Sequence, residues 1–278
     1  MLMARELLAY INRPSFVHRL SGLTKLVFFL LFSTAAMVSY DTRVLLFMLI
    51  MSLIIFKLSH VKFKEIQFVF CLILLFLALN TITIYLFSPQ EGVKIYGTSH
   101  VLLKGIGHYN ITAEQVFYLF NVLLKYLVVT PTALLFITTT HPTEFAASLN
   151  KIGVSYRVSY AVSLALRYIP DIQRDFFAIS KSQQMRGVDL SKNARLSQRL
   201  KNYAMILIPL ILTSLDRIEI IANAMELRAF GKKNKRTWYS QSPLKKADYL
   251  TLVTACLLFI LAIAITLTNK TRFYNPFL

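Results

Sequence analysis

Two arginines, Arg186 and Arg228, stand at the ends of two long periodic segments of this 278-residue chain. An arginine near the C-terminal end of a helix is stabilised by the helix dipole, by about 0.3–1 kcal/mol. A guanidinium that projects from a helix end is also a fork-shaped donor suited to carboxylates and carbonyls in a partner's groove. The first interpretation makes the two arginines structural, and the second makes them docking residues.

The segments that carry these arginines have helical periodicity. Apolar residues recur at three- and four-residue spacing over 158–179 and again over 206–227, with charged residues interspersed. We therefore expect two long amphipathic helices. The second is expected to begin after the basic, polar stretch 189–202 and to stop near Gly231.

The composition places these helices in a membrane protein. The chain is 56% hydrophobic, has a mean hydropathy of +0.55 and carries a formal net charge of +18. Such basicity is typical of proteins that bind nucleic acid or an anionic membrane, but Ile66–Phe87 contains no charged residue at all. That run is long enough to cross a bilayer, so the composition favours a membrane partner and no nucleic acid.

Four apolar regions are candidate membrane spans. The two clearest, Ile66–Phe87 and 249–268, contain no charge, and a third, 115–137, includes Lys125. We interpret Lys125 as paired inside the protein or reaching the membrane surface, since a mid-span charge is costly. The fourth region, 26–56, is predicted to form two short helices joined by a tight turn.

The distribution of positive charge predicts the orientation. Residues 138–247 hold 18 Lys+Arg against 7 Asp+Glu, and Lys and Arg near span ends are retained in the cytoplasm. Five spans with a cytoplasmic N-terminus satisfy this rule. The predicted division is therefore four transmembrane helices in 1–137, a cytoplasmic domain in 138–246 and a last transmembrane helix in 247–278. The fold class is all-α.

Several kinds of chemistry find no support in the sequence. Cys71 and Cys256 lie in apolar runs, and the five histidines have no ligand spacing, so neither a disulfide nor a metal site is predicted. A nucleotide-binding G-x-x-x-x-G-K-[ST] motif is absent, and no cofactor is expected. Without paired carboxylates or a Ser-His or Cys-His arrangement at convincing spacing, an enzyme is the least supported class.

Five sequence elements, in order, resemble the transmembrane T component (EcfT or CbiQ) of energy-coupling factor transporters. They are 15–20 (Ser-Phe-Val-His-Arg-Leu) with 24–26 (Thr-Lys-Leu), 140–145 (Thr-His-Pro-Thr-Glu-Phe), 166–170 (Leu-Arg-Tyr-Ile-Pro), 184–187 (Gln-Met-Arg-Gly) and 224–231 (Ala-Met-Glu-Leu-Arg-Ala-Phe-Gly). The last two correspond to the family's Ala-Arg-Gly signatures. Met185 and Leu227 replace the alanines, and Ala229 replaces the second glycine. We therefore expect a less sharp turn at Ala229, with Gly231 as the alternative stop.

The resemblance implies the roles of these residues. In the family, each signature arginine docks into a groove of one ATPase, so the implied docking site comprises Gln184, Met185, Arg186, Gly187, Met225, Glu226, Leu227, Arg228 and Ala229. The implied partners are two ABC ATPase subunits, which bind the ATP, a small substrate-binding membrane subunit, and the lipid bilayer. The implied location is a prokaryotic plasma membrane.

The implied function is that of a non-catalytic scaffold in an importer of a vitamin or metal ion. The alternative, from another functional class of membrane protein, is a self-contained secondary transporter or channel. Ion and proton pathways usually require several polar groups within the membrane, and only Lys125 lies deep in a predicted span. The sequence therefore favours the scaffold. The transported substrate is not encoded in it, because in this family a separate subunit selects the substrate.

Overall fold

The computed structural model describes residues 13–103, 109–188, 196–232, 237–239, 242–268 and 273–277. These ranges are almost entirely helical, which confirms the predicted all-α fold class. The helices are α1 (Phe16–Arg19), α2 (Gly22–Val38), α3 (Thr42–Leu58), α4 (Phe63–Phe87), α5 (Glu91–Tyr96), α6 (Ala113–Thr139), α7 (Pro142–Ile152), α8 (Tyr156–Met185), α9 (Leu196–Leu227) and α10 (Lys246–Thr268). A short antiparallel pair, β1 (Val101–Leu103) and β2 (Ile111–Thr112), lies between α5 and α6.

Three described helices are long and apolar enough to cross a membrane. They contain Ile66–Phe87, Ala113–Thr139 and Lys246–Thr268, and they match the three longest predicted spans. Pro131 lies within α6 without ending it. The chain is therefore a multi-pass α-helical membrane protein.

The region 26–56 forms two helices, as predicted. Helices α2 and α3 have 17 residues each and are joined by Ser39, Tyr40 and Asp41. Asp41 begins α3 because its carboxylate accepts a hydrogen bond from the Arg43 N–H at 2.9 Å. At 1.5 Å per residue each helix is about 25 Å long, which is shorter than a hydrocarbon core of about 30 Å. The count of five complete spans stays a prediction for this pair.

The chain divides into two compact units, the first comprising 1–144 with 242–278 and the second 145–241. The core of the first unit lies where α2, α3, α6 and α10 meet. It is built from Phe32, Ala35, Ala36, Val44, Leu45, Met48, Leu124, Val128 and Ala262. Small residues such as Ala36 and Ala262 allow helix backbones to approach closely, which is how membrane helices usually associate. The cytoplasmic location predicted for 138–246 stays a prediction.

A buried carboxylate joins α10 to α2 within this unit. Asp248, which is 1% exposed, accepts a hydrogen bond from the Ser21 N–H through Oδ1 and one from the Lys245 N–H through Oδ2, both at 2.8 Å. Ser21 and Lys245 immediately precede α2 and α10, where backbone N–H groups lack partners within their own helix. One side chain therefore satisfies donors at two helix starts.

Lys125 is buried in α6, and its partners agree with the predicted internal pairing. Its ammonium donates to the Met37 carbonyl at 2.8 Å and lies 2.9 Å from the centre of the Tyr40 ring. Met37 belongs to the last turn of α2, whose carbonyls carry the negative end of the helix dipole. Lys125 thus provides a hydrogen-bond donor for a carbonyl in the last turn of α2.

This arrangement predicts a mainly structural effect of replacing Lys125. Lys125→Met is expected to lower the free energy of unfolding by about 2 kcal/mol, because hydrogen bonds to charged groups contribute about 1.5–3 kcal/mol. Lys125→Arg, which keeps the charge, should lose less. Thermal unfolding in detergent micelles measures both variants. An unchanged temperature of thermal unfolding for Lys125→Met would contradict the structural assignment.

The segment between α4 and α6 contains the β1–β2 pair, which the sequence analysis did not predict. Its packing depends on Gly92, where an added Cβ would lie 2.5 Å from the backbone of Glu114. The Glu114 side chain is buried and accepts hydrogen bonds from the backbone N–H of His100 at 3.0 Å and from its ring Nδ1 at 2.7 Å. Tyr96, the last residue of α5, packs against the Phe117 ring, with ring centres 5.7 Å apart, and burial raises the pKa of Tyr96 to about 12, so the phenol is neutral at physiological pH.

The second unit is built around α8 and α9. Residue pairs between them advance in opposite directions, from Asp175 with Arg217, joined at 2.6 Å, to Tyr160 with Phe230, whose ring centres are 4.7 Å apart. The two helices are therefore antiparallel. The predicted start of the second helix after Asn202 was wrong: α9 begins at Leu196. The stretch 196–202 has few apolar residues, but its leucine, glutamine, arginine and lysine are good helix formers.

Candidate docking site

The first signature forms the end of α8. Arg186 is the C-cap residue, and Gly187 adopts the left-handed conformation with φ 87°. The Gly187 N–H donates to the Gln184 carbonyl at 3.0 Å, and the Val188 N–H donates to the Gln183 carbonyl at 3.1 Å. These two bonds define a Schellman motif, which satisfies carbonyls that the helix itself leaves without partners.

The second signature forms the same motif at the end of α9. The Ala229 N–H donates to the Glu226 carbonyl at 2.8 Å, and the Phe230 N–H donates to the Met225 carbonyl at 3.0 Å. Ala229 itself adopts the left-handed conformation, with φ 52°. The expectation of a less sharp turn with Gly231 as the stop was therefore wrong. Arg228 occupies the position that Arg186 has in α8.

Each helix end exposes a large apolar side chain followed by an arginine, and we call 184–187 the first tip and 225–229 the second tip. Both arginines are exposed. The apolar residue before each arginine is almost fully exposed, Met185 at 88% and Leu227 at 89%. An exposed apolar side chain next to a guanidinium offers both a burial surface and a charged donor to a partner.

Of the other predicted site residues, Gln184, Gly187 and Glu226 are exposed. Met225 and Ala229 are half-buried. The structure therefore places every predicted site residue at one of the two tips, in consecutive positions of the chain.

The two tips lie far apart. Because α8 and α9 are antiparallel, the end of α9 lies beside the start of α8, where the Phe230 ring meets Tyr160. Helix α8 has 30 residues and is about 45 Å long. The tips are thus separated by more than half of that length, so they present two sites instead of one.

An aromatic cluster that the sequence analysis missed fixes the second tip. The Phe230 ring packs against Tyr156 and Tyr160, with ring centres 5.6 and 4.7 Å apart, and Trp238 packs against the same two tyrosines. The Arg157 guanidinium donates to the Gly231 carbonyl at 3.1 Å. The available signal was the pair of tyrosines four residues apart at the start of a helix, together with Phe230 near the end of the second signature and Trp238 after it.

The left-handed residues of the two tips predict opposite effects of exchanging Gly and Ala. A residue with a Cβ pays about 1–2 kcal/mol in this conformation, whereas glycine does not. Ala229→Gly is expected to raise the free energy of unfolding by about 1 kcal/mol, and Gly187→Ala to lower it by a similar amount. A Cβ at Gly187 would meet no atom within 4 Å among the neighbours described, so the effect is conformational. Unfolding measurements that shift in the same direction for both variants would contradict this account.

Fold and site together define a multi-pass helical membrane protein with two exposed arginine tips on an antiparallel helix pair. The sequence model of the family described as cobalt transport protein, CbiQ, matches residues 13–239. The chain belongs to this family.

Relatives from several bacteria are named energy-coupling factor transporter transmembrane protein EcfT. The protein from Macrococcus caseolyticus is 25% identical over 255 residues, covering 88% of this chain and 92% of the relative. That from Clostridium kluyveri is 27% identical over 263 residues, covering 91% and 94%. A shorter match, 37% over 112 residues, is found in Acidaminococcus fermentans and covers 40% of this chain and 41% of that protein. The resemblance to transmembrane T components is confirmed, and the chain is a transmembrane component of this class of transporter.

Proposed function

We propose that this chain is the non-catalytic coupling subunit of an energy-coupling factor importer. It would link ATP hydrolysis by two cytoplasmic ATPases to uptake of a vitamin or metal ion through a separate substrate-binding membrane subunit. The observation that carries the proposal is the presence of two matching arginine tips at opposite ends of one helix pair. The EcfT names of the relatives, which refer to energy-coupling factor transporters, support it.

Each tip would dock one ATPase. Arg186 and Arg228 would donate to carboxylates or carbonyls in a groove of the partner, since a planar guanidinium forms paired hydrogen bonds with such acceptors. Met185 and Leu227 would be buried on docking. The ATP would be bound by the partners, and this chain would hold no cofactor.

The helix pair would transmit movement of the ATPases. The Arg217–Asp175 ion pair and the Phe230–Tyr160 contact join α8 to α9 at two levels. Packed helices move between discrete arrangements instead of deforming continuously. A displacement at either tip would therefore shift the pair as a body.

The substrate-binding membrane subunit would use apolar surface that this chain leaves exposed. On α9, five large apolar side chains between Ile208 and Ile218 are more than half exposed, and their helical spacing places them on one side of the helix. They are Ile208, Ile211, Leu212, Leu215 and Ile218. A continuous apolar face of this kind is typical of an interaction surface.

The location would be a prokaryotic plasma membrane with the N-terminus in the cytoplasm. The excess of Lys and Arg in 138–247 supports this orientation, because positive charge near span ends is retained on the cytoplasmic side. Both tips would then face the compartment that holds ATP.

Affinity purification of the tagged chain from native membranes in mild detergent tests the proposal. Mass spectrometry is expected to identify ATPase chains together with one or more small membrane proteins. Several different small membrane proteins would indicate a scaffold shared among binding subunits, and a single one would indicate a dedicated importer. Purification with no ATPase, combined with uptake driven by an ion gradient in the reconstituted chain alone, would overturn the proposal in favour of a secondary transporter.

A further inference from the structure

An apolar cavity of 120 Å³ lies at one end of the helices of the first unit. It is formed by residues from α1, α2, α3, α6 and α10, together with Leu20. Apart from three threonines and Lys25, the lining consists of aromatic and aliphatic side chains: Phe16, Val17, Leu20, Phe28, Phe29, Ile55, Leu58, Leu135 and Phe136. Two of these, Phe16 and Leu58, are themselves more than half exposed, so the cavity has an open rim.

The polar edge of the cavity is the ammonium of Lys25, which is only 7% exposed. It donates to the Thr139 carbonyl at 2.7 Å and to the His18 carbonyl at 3.3 Å. An ammonium has three N–H donors, and the third has no hydrogen-bond partner within the described ranges. The hydroxyl of Thr140, the next residue after Thr139, is also buried without a partner among the residues described.

The charges near this edge define the acceptor that fits it. The carboxylates of Glu144 and Asp248 already interact electrostatically with Lys25. An uncharged acceptor, such as an ester carbonyl, therefore fits the remaining donor better than a second anion. Two exposed cations lie at the same end of the helices. Arg19 is in α1 with the rim residue Phe16, and Lys57 is next to the rim residue Leu58 in α3.

We propose that this cavity binds one acyl chain of an anionic membrane phospholipid. The part of the acyl chain next to the ester would fill the apolar lining, the ester carbonyl would accept a hydrogen bond from Lys25, and the lipid phosphate would lie outside the cavity, near Arg19 and Lys57. An apolar lining of this kind favours an apolar ligand over water, and its open rim at the end of apolar helices would admit a lipid chain. Cationic side chains at the surface select anionic headgroups. The site is independent of ATPase docking.

Native mass spectrometry of the full chain, incubated in micelles with equal amounts of phosphatidylglycerol and phosphatidylcholine, tests the proposal. The wild-type chain is expected to retain one phosphatidylglycerol. Thr132→Phe, which fills the cavity, should lose it. Thr83→Phe is the matched control, because the Thr83 hydroxyl, like that of Thr132, donates to a carbonyl in the preceding turn of its own helix, but Thr83 is exposed on α4. No retention by the wild type, equal retention by the two variants, or equal retention of the two lipids would overturn the proposal.

A second measurement leaves the cavity open, so that it does not depend on the folding of Thr132→Phe. Trp238 is the single tryptophan of the chain and can be replaced by Phe. A tryptophan is then introduced at Phe29, which lines the cavity, or at Phe76, which is exposed on α4. Brominated phosphatidylglycerol, diluted in ordinary lipid vesicles, is expected to quench the tryptophan at 29 more strongly than the one at 76, whereas brominated phosphatidylcholine should quench the tryptophan at 29 no more strongly than the one at 76. Equal quenching at the two positions by both lipids would refute the site.

Discussion

The double variant Arg186→Glu with Arg228→Glu is expected to abolish both ATPase association and substrate uptake while leaving membrane insertion intact. Truncating one partner of a buried, hydrogen-bonded charge pair costs about 2–5 kcal/mol in binding, and charge reversal adds repulsion. Both arginines are exposed, and the helix-ending bonds at each tip join backbone groups, so charge reversal leaves those bonds in place. Co-purification with the ATPases and uptake by membrane vesicles measure the two effects.

Matched variants separate docking from net charge. Arg174→Glu reverses an exposed arginine in the middle of α8, away from either tip, and should leave uptake close to the wild-type rate. The double variant Arg186→Lys with Arg228→Lys keeps the charges but lacks the planar guanidinium, so its uptake is expected to lie between that of the wild type and that of the double Glu variant. Normal uptake by the double Glu variant would contradict the docking role of the two arginines.

Replacing Asp248 by Ala is expected to have the largest effect on stability. The change leaves the N–H groups of Ser21 and Lys245 without their buried acceptor and removes the link between the starts of α2 and α10. Leaving a buried donor unsatisfied costs about 1–3 kcal/mol, so two such donors cost about 2–6 kcal/mol. Thermal unfolding in detergent and resistance to proteolysis near 242–248 report the loss.

Two further variants test this explanation. Asp248→Asn keeps one acceptor oxygen and should be less destabilising than Ala. Asp171→Ala removes a partly exposed carboxylate whose ion pair with Arg174 lies on the surface of α8, and should change the free energy of unfolding by less than about 1 kcal/mol. If Asp248→Ala unfolds at the same temperature as Asp171→Ala, the capping role is wrong.

Most of the helices could be predicted because their signals are local. An uncharged run such as Ile66–Phe87 and the repeated apolar spacing over 158–179 are properties of neighbouring residues, and the structure has helices there. The family signatures also located both tips. Composition together with this uncharged run was sufficient to identify a membrane protein, because about 20 consecutive apolar residues are long enough to cross a bilayer as a helix.

The contacts that join these helices could not be predicted, because they link residues far apart in the chain. Asp248 pairs with Ser21 across 227 positions, and Lys125 reaches Met37 across 88. Lys125 was marked as a charge within an apolar span, but no local pattern identified Met37 as its partner or marked Asp248. The left-handed Ala229 was missed for another reason: the local preference for glycine was correct, but the Schellman bonds around it stabilise the turn despite the Cβ.

The antiparallel arrangement of α8 and α9 also has a consequence for symmetry. Two antiparallel helices that end in the same motif are related by an approximate two-fold axis perpendicular to the pair, although their sequences are not in register. One copy of the motif lies on one side of that axis, at Arg186, and the other copy lies on the other side, at Arg228. A pair of similar partners related by their own two-fold axis would therefore meet equivalent chemistry on both sides of a single, asymmetric chain.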